Sequence, residues 1–178
     1  MANVQRVKHE FKPSTRHPVK GSVEAIEVGD LVYQDSRFQG NTSQNTVRPA
    51  SSGSAGANAG DGRFQFAENF SGVARQRHDL NSFDKEIAVN MNCEAEYTIY
   101  NNAGAATAVT ADFDVGTLIA VAVTAAFVPI DQGVVIDGHG STTVAANQAI
   151  GRLSRPCKNG DSTAWCHLVS PQVGESVV

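Results

Sequence analysis

Long apolar runs are missing from this sequence. No stretch of about eighteen residues escapes polar interruption, so no membrane-spanning helix is expected. The opening Met1-Ala2-Asn3-Val4-Gln5-Arg6 does not lead a charged segment into an apolar one, and no secretory leader is expected. Cysteine is scarce and odd in number, at Cys93, Cys157 and Cys166. Without a leader this reads as free thiols in a reducing cytosol, with a Cys157–Cys166 bridge across a turn as the alternative. Leucine, lysine and methionine are sparse while Ala, Val, Gly, Ser and Thr dominate, a composition of strands and turns rather than long helices.

Recognisable signatures of catalysis are equally sparse. No Gly-x-Ser-x-Gly elbow is present to raise a nucleophile. The glycine-rich stretch 53–62 lacks the Gly-Lys-Ser/Thr ending of a phosphate loop. Cys157, Cys166 and His167, with His139, are of zinc-ligand type, but the Cys spacing of nine fits no common finger or ribbon. Asp137-Gly138-His139-Gly140-Ser141 places an acid, an imidazole and a hydroxyl in one short turn. Members of a hydrolytic triad arrive from separate loops, so a plain surface turn is expected there. His9, His17 and His78 read as solvated side chains, and Arg75, Arg77 and His78 as a small basic patch without the aromatic interleaving of a nucleic-acid binder. No enzyme activity, cofactor or metal, and no direct nucleic-acid contact, is expected.

Charge is unevenly distributed. Residues 1–20 carry Arg6, Lys8, Lys12, Arg16 and Lys20 against Glu10, a sum of +4; the chain as a whole is −4, so residues 21–178 carry −8. A basic leader on an acidic body reads either as a segment that meets a negatively charged protein or nucleic acid or as a merely solvated, frayed terminus. Pro13 and Pro18 forbid a sustained helix in the leader, which reads as an extended arm.

One β domain is expected over residues 21–172, with a loose tail at 173–178. Val23, Ile26 and Val28 read as a strand before the Gly29-Asp30 turn, and Leu31-Val32-Tyr33 as its partner. The span from about 40 to 62 includes the low-complexity run Ser51 to Gly62 and predicts a long flexible insertion. Phe64-Gln65-Phe66 alternates as a strand does, and residues 86–100 alternate at period two over one long strand. Residues 105–126 predict one or two core strands. Val134–Ile136, Ala149–Leu153 and Ala164–Val169 complete an all-β chain, a compact small barrel or sandwich, in which Gly29–Asp35 and Gln148–Ser154 open and close one β unit.

Four pieces carry a family resemblance: Val28-Gly29-Asp30-Leu31-Val32-Tyr33, Asn69-Phe70-Ser71-Gly72-Val73-Ala74, Gln148-Ala149-Ile150-Gly151-Arg152-Leu153 and Trp165-Cys166-His167-Leu168-Val169. In this order they resemble the capsid decoration, or cement, proteins of tailed phages. The resemblance implies a β-tulip-like barrel and a non-enzymatic homotrimer, made in the host cytoplasm. It would bind the major capsid protein on the outer surface of the virion and stabilise the head. The arm, through Val4, Arg6, Val7, Lys8, Phe11 and Lys12, is the expected clamp, adding a strand to a neighbour's sheet. Two other readings stand beside it: a receptor- or glycan-binding β module on a virion surface, and a hydrolase built on residues 137–141.

Overall fold

The computed structural model describes residues 7–10, 14–19, 24–34, 46–80, 82 and 85–171. Along the chain it places strands β1 (Val7–Glu10), β2 (Thr15–Pro18), β3 (Leu31–Gln34) and β4 (Val47–Pro49), then helix α1 (Ala59–Asn69). The remaining strands are β5 (Phe70–Ala74), β6 (Glu86–Asn90), β7 (Asn92–Ile99), β8 (Leu118–Val123), β9 (Pro129–Ile136), β10 (Gly151–Leu153) and β11 (Thr163–Val169). Strand outweighs helix, 43% against 15%, as an all-β chain requires.

Five strands close into a barrel in the order β7-β11-β10-β8-β9. All its pairings are antiparallel except the closing one, where β9 meets the end of β7 in parallel at Thr98↔Gly133 and Ile99↔Val134. Cys93, Ala95, Tyr97 and Ile99 alternate along β7 into the main core with Ile119, Val121, Ile136, Leu153, Cys166 and Leu168. Closing the sheet removes most of the open edges that would otherwise invite foreign strands. A second, antiparallel sheet runs β2-β6-β5-β3-β4, and a parallel bridge between Val19 and Val47 brings its two margins together. Val32, Val47, Ile87 and Val89 pack on one side of it, while Leu31, Tyr33, Phe70 and Val73 join the main core from the other.

The alternation over 86–100 places Ile87, Val89, Cys93, Ala95, Tyr97 and Ile99 inward, as found, but Met91 is only half-buried, the polar Asn90, Asn92 and Glu94 are buried as well, and the run spans two strands. The chain bends at Met91, so Ile87 and Val89 serve one core and Cys93 to Ile99 the other. Period two is the same on both sides of the bend and does not reveal it. The bend is held by the Ser170 amide donating to the Met91 carbonyl at 2.8 Å. Gly72 lets β5 come this close: a Cβ there would stand 2.2 Å from the Asn90 carbonyl oxygen, and its φ is +138°.

Four expectations are corrected. Over residues 46–62, the flexible insertion is instead β4, a 3-10 turn at Ala50–Ser52 and the start of α1; residues 40–45 lie outside the described set. Phe64 and Phe66 are helical, not strand. Asn58 caps the helix, its Oδ1 accepting from the Asp61 amide at 3.0 Å, with Asp61 favourably placed in the first turn. Gly60 and Gly62 cost about 1 kcal/mol each in a helix. Burying Phe66 between Tyr33 and Phe70, at ring distances of 6.0 and 5.7 Å, returns roughly 2–3 kcal/mol and decides the outcome. Finally, residues 22–28 form no strand among the described residues; Ile26 makes a single bridge to His78. β3 within the Gly29–Asp35 piece and β10 within Gln148–Ser154 belong to different sheets that share the main core, rather than to one β unit; Asp35 lies outside the described residues. The span 105–126 holds one core strand, β8, within the expectation of one or two.

Candidate ligand groove

Val4, Arg6, Phe11 and Lys12 of the expected clamp lie outside the described residues; Val7 and Lys8 fall on β1. The backbone of β1 runs antiparallel to this chain's own β7, with Val7 opposite Ala95 and Glu10 opposite Cys93. It occupies the part of that edge which β9 leaves open, and a bulge lies between Val7 and His9. The leader also supplies β2, which pairs with β6 from Thr15↔Val89 to Pro18↔Glu86. Its described residues therefore supply edge strands to both sheets.

A feature that the sequence reading missed lies at the N-terminal end of α1. Arg63, in the second turn, is only 3% exposed. Its Nη2 donates to Asn102 Oδ1 at 2.7 Å, whereas its Nε is sealed from solvent without an acceptor. No carboxylate pairs with it among the described residues. Burial alone pulls the guanidinium below its ordinary value. The hollow it borders holds about 440 Å³ and is also lined by Asn58, Gly60, Phe127, Ser141 and Gln148. The Ala59 and Gly60 amides precede the first intrahelical bond, which runs from the Gly62 amide to the Asn58 carbonyl.

A second hollow of about 450 Å³ adjoins it across Asn102 and the Gly140-Ser141 step, lined by Asn101, Thr107, Thr110 and His139. His139 is 3% exposed and neither ring nitrogen finds a partner; its ring meets Phe113 edge-on at 6.1 Å. Buried polar atoms without partners are uncommon, and here two such side chains border adjoining hollows. The Asn101 side chain holds the wall between them, its Oδ1 accepting from the Ala103 and Ala105 amides. Phe127 and Ser141, both lining the first hollow, have φ of 62° and 64°, a left-handed backbone that costs a non-glycine residue of order 1–2 kcal/mol.

Within the 137–141 turn the three chemical groups do not form a relay. Asp137 Oδ1 accepts from the Val144 amide at 2.9 Å, and His139 is hydrogen-bonded to neither Asp137 nor Ser141. The turn is not the plain surface feature expected, since His139 is buried. His78, expected to be solvated, is also buried, its Nδ1 3.2 Å from the Glu24 carbonyl and its backbone paired with Ile26. The three cysteines are free and buried. Among the described residues no three His, Cys, Asp or Glu side chains converge as metal ligands. Sequence signals for the groove were weak: Asn58 three residues before Asp61 marks a cap, but nothing local reveals that Arg63 will be buried without a counter-charge. No protein family, no curated protein and no solved structure matches this chain.

Proposed function

We propose that the chain is a non-enzymatic capsid decoration protein, a homotrimer that binds the outer surface of a virion head and bridges neighbouring major capsid proteins. The observation that carries this reading is the placement of the basic leader. Within twenty residues it supplies the four-residue edge strands β1 and β2 to two different sheets. Short edge strands held by backbone pairing are suited to exchange onto a neighbour's sheet, where the ladder gives affinity and flanking charge selects the partner. The four family-like pieces also fall into two adjacent pairs, β3 with β5 and β10 with β11, one pair in each sheet. Such pairs suit a rigid body from which an arm reaches out.

Co-sedimentation with expanded heads tests the clamp. Deleting residues 1–18 should abolish binding. Because deletion also strips two strands from the fold, the full-length chain with Arg6, Lys8 and Lys12 replaced by Gln is the companion variant, and it should bind at least ten-fold more weakly. Undiminished binding by that variant overturns the reading. Sedimentation equilibrium of the isolated protein and of protein released from heads should give a trimer; a monomer in both refutes the assembly.

A further inference from the structure

Arg63 poses an energetic problem that the fold itself does not solve. A buried guanidinium without a carboxylate forfeits hydration worth several kcal/mol, and one neutral hydrogen bond to Asn102 recovers only a fraction of that. Its position beside the hollow at the α1 N-terminus, where the Ala59 and Gly60 amides and the helix dipole also favour negative charge, identifies what is missing as an anion. Asp61 is the acid nearest in sequence, but it is only half-buried and its carboxylate accepts from the Asn58 side chain at 2.9 Å rather than from Arg63.

The adjoining hollow adds a second requirement. Asn101, Thr107, Thr110 and His139 offer amide, hydroxyl and imidazole groups, and both nitrogens of the buried His139 are unmatched. Such a wall suits a hydroxyl-rich body, and the two hollows meet at Asn102, so one ligand can engage both. We propose that the groove between α1 and the Gly138–Thr142 turn binds a small acidic sugar, its carboxylate on Arg63 and its hydroxyls on the Asn101 and His139 side. This site is independent of the leader and of the clamp.

Isothermal titration calorimetry of the full chain with glucuronate, glucose, acetate and sulfate separates the sources of affinity. Glucuronate should bind at least ten-fold more tightly than acetate or sulfate, which carry charge alone, and than glucose, which carries hydroxyls alone. Equal binding of sulfate and glucuronate overturns the sugar assignment, and no binding by any of the four overturns the site. Arg63→Met should abolish glucuronate binding while leaving the melting temperature of the ligand-free protein unchanged or higher, because it removes an unpaired buried charge. A ligand-free melting temperature lowered by Arg63→Met, with glucuronate affinity retained in Arg63→Gln, shows Arg63 to be a structural cation and overturns the proposal. His139→Phe should cost glucuronate affinity about ten-fold and leave acetate binding unchanged; equal effects on the two probes overturn the placement of the hydroxyls.

Discussion

The Tyr97 hydroxyl donates to the Gly29 carbonyl at 2.9 Å, joining barrel strand β7 to the turn that precedes β3 in the other sheet. The bond is buried, and burial, with Cys93, Cys166 and Asp30 nearby, raises the phenol well above its usual value, so it stays a donor at every physiological pH. Tyr97→Phe removes the donor and leaves the Gly29 carbonyl without this partner. A loss of about 1–2 kcal/mol is expected in urea-induced unfolding. A change within experimental error of zero would show that the two sheets do not depend on this link.

Asp30 sits at the same turn, 4% exposed, its Oδ2 accepting from the Glu27 amide at 2.7 Å and its Oδ1 from the Gln132 side chain at 2.8 Å. Burial, the largest influence, outweighs those hydrogen bonds and lifts the carboxyl from 3.8 to about 6. Between these values the folded protein binds more protons than the unfolded chain, so Asp30 makes stability fall as pH rises from about 4 to about 6. The shift corresponds to at most on the order of 3 kcal/mol. In Asp30→Asn this decline should disappear from the stability profile between pH 4 and pH 7. A profile identical to that of the wild type rejects the assignment.

Gly151, within the late Ile150-Gly151-Arg152 piece, allows the close approach of β10 to β11. A Cβ there would stand 2.1 Å from the His167 carbonyl oxygen, which belongs to backbone and cannot rotate away. Gly160 offers a control: nothing lies within 4 Å of its Cβ position, and only its φ of +97° opposes a side chain. Gly160→Ala should cost about 1–2 kcal/mol, the usual penalty of a left-handed residue. Gly151→Ala should cost about 3 kcal/mol or more, since two strands must separate. Chemical denaturation of the pair measures both, and equal losses would refute the close approach.

Sequence pattern and structure part company where long-range packing decides. Alternation exposed Ile87, Val89, Cys93, Ala95, Tyr97 and Ile99 as inward residues, because each strand keeps one face on a core whichever core it is. It did not expose the bend at Met91, which depends on Ser170, 79 positions later. The run from Ser51 to Gly62 looked unable to order because its own residues bury little. The order comes from outside it: Phe127 accepts from the Gly56 amide at 3.3 Å, and Phe66 anchors the helix. The Arg63 groove was illegible for the same reason. Asn102, Phe127, Ser141 and Gln148 converge on Arg63 from well separated parts of the chain, and a missing counter-charge is a property of the assembled neighbourhood.

The cysteines join sequence reasoning to a solution measurement. Cys93, Cys157 and Cys166 are buried, outside any disulfide, and all three lie within the main core. Burial, followed by the charges of Asp161 and Asp112, pushes the Cys157 thiol up to about 11; burial raises that of Cys166 further still. The thiolate is the reactive form, so at pH 7 to 8 its fraction is about a thousandth or less even before access is considered. Native protein should therefore react negligibly with Ellman's reagent over an hour, and denatured protein should release three equivalents. One equivalent after denaturation would reveal a Cys157–Cys166 bridge, and rapid reaction of the native protein would show that the barrel opens far more readily than its closed strand order implies.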